Sequence, residues 1–78
     1  MKEIKILLNS INDVKYFVNA ATEQLFDIDI VSGRYVVDAK SIMGIFSIDL
    51  TKPIMIEVHG SDEEAAEFFE KIKQFEVK

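Results

Sequence analysis

Residues 2–8, Lys-Glu-Ile-Lys-Ile-Leu-Leu, place Ile4, Ile6 and Leu8 on one face and Glu3 and Lys5 on the other. That two-residue period is that of a half-buried strand. From Ser10 the period changes. Ile11, Val14, Phe17, Val18, Ala21 and Leu25 recur every three or four residues, which predicts an amphipathic helix of roughly four turns. Ser10 fits as its N-cap, and Asp13 suits a variant of the capping box at the positive end of the helix dipole.

Phe26, Ile28 and Ile30 then alternate with Asp27 and Asp29, predicting a second strand. Ser32-Gly33 signals a turn, and Tyr35-Val36-Val37 returns as a third strand, so the pair reads as a hairpin. The span Ser41–Ser47 is too rich in Gly and Ser for a strand and suits one or two helical turns capped by Ser41. Thr51-Lys52-Pro53 breaks the chain. Beyond it, Ile54, Ile56 and Val58 alternate with Met55, Glu57 and His59 as a fourth strand.

Gly60 ends that strand, and Ser61 with Glu64 forms a capping box for a last helix. Asp62, Glu63 and Glu64 complement its N-terminus, while Lys71, Lys73 and Lys78 gather at the negative end. Ala65, Phe68, Phe69, Ile72 and Phe75 supply its apolar stripe. The order β-α-β-β-(short α)-β-α predicts an α+β fold with two layers, one sheet face covered by helices and the other open to water. Lys5, Asp27, Asp29 and Glu57 are then the solvated side chains of the open face.

At 78 residues, with no repeat or linker, the chain reads as one domain spanning 1–78. No cysteine is present, which excludes disulfides and thiolate metal sites and suits a reducing cytoplasm. Met1–Asn9 does not read as a signal peptide, and no apolar run is long enough to span a bilayer. A net charge of −5 has the wrong sign for coating nucleic acid or anionic lipid. The expectation is a cytoplasmic protein that binds neither nucleic acid nor membrane.

Catalytic chemistry finds few parts here. A cysteine nucleophile is impossible, and one histidine cannot build a His-rich metal site. No Gly-x-Ser-x-Gly elbow surrounds any serine, and Gly33, Gly44 and Gly60 are too far apart for a phosphate loop. Asp27 and Asp29 read as a plain exposed pair, and His59 as a strand-end residue with no identifiable partner. Three consecutive acids at 62–64 do not face one point on a helix. The expectation is therefore no enzyme, no cofactor and no metal.

The run Lys40-Ser41-Ile42-Met43-Gly44 resembles a signature of the HPr family, the phosphocarriers of the phosphoenolpyruvate-dependent sugar phosphotransferase system. Ala21-Thr22 followed by Asp27-Ile28 resembles the family's stretch between first helix and second strand. The resemblance covers essentially the whole chain at constant spacing. It implies an open-faced β-sandwich whose four-stranded sheet is antiparallel. It also places Ser41 on the family's regulatory serine, which in Gram-positive members is phosphorylated from ATP by HPr kinase/phosphorylase. A phosphate there would sit at a positive helix end, although Ser41 can equally be read as a cap alone.

The family's phosphocarrier run, glycine-isoleucine-histidine-alanine-arginine-proline, aligns with Leu8-Asn9-Ser10-Ile11-Asn12-Asp13. Ser10 thus stands for the phospho-accepting histidine, Asn12 for the phosphate-binding arginine and Asp13 for the proline. A phosphoserine ester is too stable to relay a phosphoryl group, and Asp13 would repel one. The resemblance therefore implies a regulatory protein, similar to catabolite-repression homologues that lack the histidine and bind a transcriptional regulator when phosphorylated. Asn12 departs from those homologues, which generally keep the arginine. The alternative is a phosphorylation-independent protein-binding module.

Partners of the family dock at the first helix and the short helix beside it. Ile45 and Ile48 are expected to turn inward, leaving Ile42, Met43 and Phe46 at least partly exposed for contact. The oligomeric state is expected to be a monomer or a weak dimer.

Overall fold

A computed structural model describes residues 2–77. The elements follow in the order β1 (Lys2–Ile6), α1 (Ile11–Thr22), β2 (Asp27–Ser32), β3 (Tyr35–Asp38), α2 (Ile42–Phe46), β4 (Ile54–His59) and α3 (Asp62–Ile72). A single 3-10 turn, Lys73–Phe75, follows α3. The strands form one antiparallel sheet in the order β1-β4-β2-β3. This is the α+β open-faced sandwich that the alternation predicts.

Gly33 sets the β2–β3 hairpin. Ser32 and Tyr35 pair across a two-residue loop, and Gly33 has φ of 62° while no non-glycine among the described residues has positive φ. Glycine first in the loop is the arrangement of a II′ turn, whose twist matches that of the strands it joins.

Between the sheet and its helices lies an aliphatic layer: Ile4 and Ile6 from β1, Ile28 and Ile30 from β2, Ile54, Ile56 and Val58 from β4. Val14, Phe17, Val18 and Ala21 from α1 close over it, with Ala65, Phe68 and Ile72 from α3. Phe68 is the aromatic hub, edge-on to Phe17 at 6.1 Å and to Phe26 at 6.4 Å between ring centroids. Such edge-to-face pairs add about 0.5–1.5 kcal/mol beyond the area they bury.

Helix α3 begins with the predicted capping box. Ser61 Oγ accepts the Glu64 N–H at 3.1 Å, and Glu64 Oε1 accepts the Ser61 N–H at 2.8 Å. Lys71 and Lys73 pair with Glu23 and Glu70, and Lys78 lies outside the described residues.

The helix-period reading fails at both ends of α1. Leu25 is 100% exposed rather than buried, because the helix stops at Thr22, a turn early. There the Thr22 hydroxyl donates to Asn19 O and the Gln24 N–H to Ala21 O. Phe26, packed on Phe68, takes the place in the core that Leu25 was expected to fill. Ile11 is 62% exposed, at the start of α1 beside an open cleft. Phe75 is buried as expected, but from the 3-10 turn rather than from α3 itself.

Candidate functional site

The start of α1 is tied down by local chemistry. Ser10 is extended (φ −144°, ψ 166°), and its Oγ accepts the Asp13 N–H at 3.1 Å. Asp13 Oδ2 reaches back one residue further than a standard capping box, accepting the Asn9 N–H at 3.0 Å. The first turn of α1 is thereby closed by its own side chains, with a carboxylate where the helix end would attract an anion.

Helix α2 begins on the same device. Ser41 Oγ accepts the Gly44 N–H at 3.1 Å, and the Ser41 N–H donates to Asp38 O at 3.0 Å. Lys40 braces this entry: its N–H donates to Asp38 Oδ1 and its Nζ to Gln24 O, each at 2.9 Å. Ile45 is fully buried and Ile48 packs partly against the core. Met43 is 79% exposed and Phe46 48%, with Ile42 at the margin of exposure. The inward and outward assignments along α2 follow the sequence expectation.

An open cleft of about 410 Å³ lies between the start of α1 and the end of α2 with the segment that follows it. Leu8, Asn9, Ser10, Ile11 and Val14 form one wall, and Phe46, Leu50 and Thr51 the other. Asp49 holds the second wall in place by accepting both the N–H and the hydroxyl of Thr51. The Thr51 hydroxyl bond, then its N–H, keep the Asp49 carboxyl below the usual carboxylate range, with Lys52 adding to the effect. None of the residues lining the cleft is basic. Its chemistry suits an apolar side chain from a partner better than a phosphoryl group.

The structure therefore brings Ser10 and Phe46 to one cleft, while Ser41, Ile42 and Met43 do not line it. Leu50 and Thr51 escaped the sequence reading, because nothing local marks the segment after α2 as returning to α1. One expectation is corrected outright: His59 has a partner. Its Nε2 lies 2.9 Å from Asp29 Oδ2 on the open face of the sheet. The sequence hid the pair because it depends on β4 lying beside β2, a crossover in the chain order.

The family described as the PTS HPr component phosphorylation site matches residues 13–76. The match begins beyond Ser10. Among solved structures, the fold is similar to HPr-C-His from Thermoanaerobacter tengcongensis, at 27% identity over 94% of this chain and 97% of that one, with a TM-score of 0.71. It is similar also to the phosphocarrier protein HPr of Bacillus anthracis, at 31% identity over 94% of each chain, with a TM-score of 0.70. The catabolite repression protein Crh of Bacillus subtilis, a domain-swapped dimer, shares the fold at 24% identity, covering 96% of this chain and 90% of that one, with a TM-score of 0.63. No curated protein sequence matches the chain. No helix among the described residues is long and apolar enough to cross a membrane. From the α+β open-faced sandwich and the sequence match together, the chain belongs to the HPr family of phosphocarrier proteins of the phosphotransferase system.

Proposed function

We propose that this HPr-family protein regulates sugar transport rather than carrying phosphoryl groups, and that Ser41 is its switch. One observation carries the first half. Ser10, which the sequence resemblance sets against the family's phospho-accepting histidine, is engaged as a helix cap, with Asp13 folded over the same helix start and no basic residue lining the cleft. Phosphohistidine can pass its phosphoryl group on, whereas a serine ester at Ser10 would hold it. The cleft lacks the cation that would stabilise a transferring phosphoryl group.

Ser41 is supported by the Lys40–Gly44 resemblance and by its half-buried place at the entry to α2. Phosphorylation there adds close to two negative charges beside an exposed apolar surface of Ile42, Met43 and Phe46. That surface is the docking face of the proposal, and a transcriptional regulator is the partner class it implies. A second reading, a binding module that needs no phosphate, is favoured by the cleft itself, which is apolar-walled and open without modification.

The test is incubation with ATP and an HPr kinase, with Ser41→Ala as control and intact mass as readout. A gain of one phosphate that the variant loses supports the switch. No gain, while a histidine-bearing HPr is modified alongside, leaves the phosphate-independent module. A phosphoryl group taken from phosphoenolpyruvate and the system's first enzyme, and passed onward, would overturn the regulatory reading.

A further inference from the structure

The open sheet face carries a second constellation, on the side opposite the helices. Register places Glu3 against Glu57, Glu57 against Asp29, and Asp29 against Asp38. Four carboxylates from four strands therefore stand in one row, where like charges directly opposite one another destabilise a sheet. In the next row of β4 stands His59, two residues from Glu57 and so on the same face. It reaches diagonally to Asp29, with Nε2 2.9 Å from Oδ2. One donor atom from each of Asp29, Glu57 and His59 lies within 4.8 Å of the other two.

We propose that Asp29, Glu57 and His59 form a binding site for a divalent transition-metal ion such as zinc. The donor set argues for the metal class. An imidazole nitrogen beside carboxylate oxygens suits zinc, nickel or copper, whereas magnesium and calcium favour oxygen alone. Metal–ligand bonds of about 2.0–2.2 Å put neighbouring donors of a tetrahedral ion roughly 3.3–3.6 Å apart. The His59–Asp29 pair is already within that reach. The remaining separations, none above 4.8 Å, are of the order that side-chain rotation spans.

Support and access are both present. Asp29 and Glu57 are half-buried on the two central strands, while His59 is exposed and open to an arriving ion. A dication there would relieve the repulsion along the carboxylate row, and water would complete its coordination. Three protein donors on an open surface describe a site with exchangeable positions rather than a closed structural centre.

The chain has one histidine and no cysteine, so any imidazole–metal signal reports this site alone. Zinc chloride would be titrated into the full chain, following heat and the His59 ring resonances, with magnesium chloride in parallel. The expected result is one equivalent of zinc bound with movement of the His59 signals, and none with magnesium. His59→Gln and Glu57→Gln should each weaken zinc binding by about tenfold or more, since losing a ligand costs at least what losing a ligand's supporting partner does. Asp49→Asn, a carboxylate change away from the sheet, should leave it unchanged. Circular dichroism would establish that the variants fold. Zinc affinity unaltered in His59→Gln, magnesium acting as zinc does, or His59 resonances unmoved at millimolar zinc would overturn the proposal.

Discussion

The two faces of this sheet are made by the same four strands and obey opposite rules. On the covered face Ile4, Ile6, Ile28, Ile30, Ile54, Ile56 and Val58 are packed beneath α1 and α3. On the open face the intervening positions hold Glu3, Lys5, Asp29, Glu57 and His59. Side chains one residue apart thus differ in what they do for the fold. Ile56 is fully buried and holds two layers together, whereas Glu57 faces two other carboxylates across the neighbouring strands. Stability resides on one face, and the other is free to carry charge at a cost.

The largest break in this comparison comes from the covered side. Ile56→Ala removes a fully buried side chain from a central strand and should destabilise the protein by about 2–5 kcal/mol, read from urea unfolding. A smaller loss is expected where the covered face closes at its end. A Cβ on Gly60 would stand 3.0 Å from Phe26 Cγ and 2.9 Å from Glu64 Oε1. Gly60→Ala therefore pushes on an aromatic of the core and on the capping box, and should cost about 1–3 kcal/mol by thermal unfolding. The smallest effect has the opposite sign. Glu57→Gln should stabilise the metal-free protein by about 0.2–1 kcal/mol at low ionic strength, by relieving opposed like charges. That gain should shrink as salt is added. An unchanged or lower melting temperature at low salt would show that the carboxylate row carries no repulsion.

The fold was legible because each element obeys one period. Ile28 and Ile30 alternate with Asp27 and Asp29 only if they form a strand, and Ser61 with Glu64 marks a helix start by chemistry local to four residues. The end of α1 was not, because neither Gly nor Pro marks it. Leu25 continues the helical spacing past the point where Thr22 and Gln24 turn the chain out of the helix. Of the candidate site, the caps Ser10 and Ser41 and the exposed side of α2 were legible as local structure. What the sequence withheld was anything set by which elements lie side by side. The meeting of Leu50 and Thr51 with α1 and the pairing of His59 with Asp29 both belong to that class.

Strand β1 lies at one edge of the sheet, paired with β4 on its inner side. On its outer side it meets the other end of the chain. The Leu7 N–H donates to Phe75 O, the Val77 N–H donates to Lys5 O, and Ile6 bridges to Glu76. Both partners lie far along the sequence from β1, so each pairing closes a long loop. Contacts this distant in sequence slow folding, and both edges of β1 are covered only when both have formed. Until then the charges of Glu3 and Lys5 on that strand oppose its pairing with a neighbouring chain.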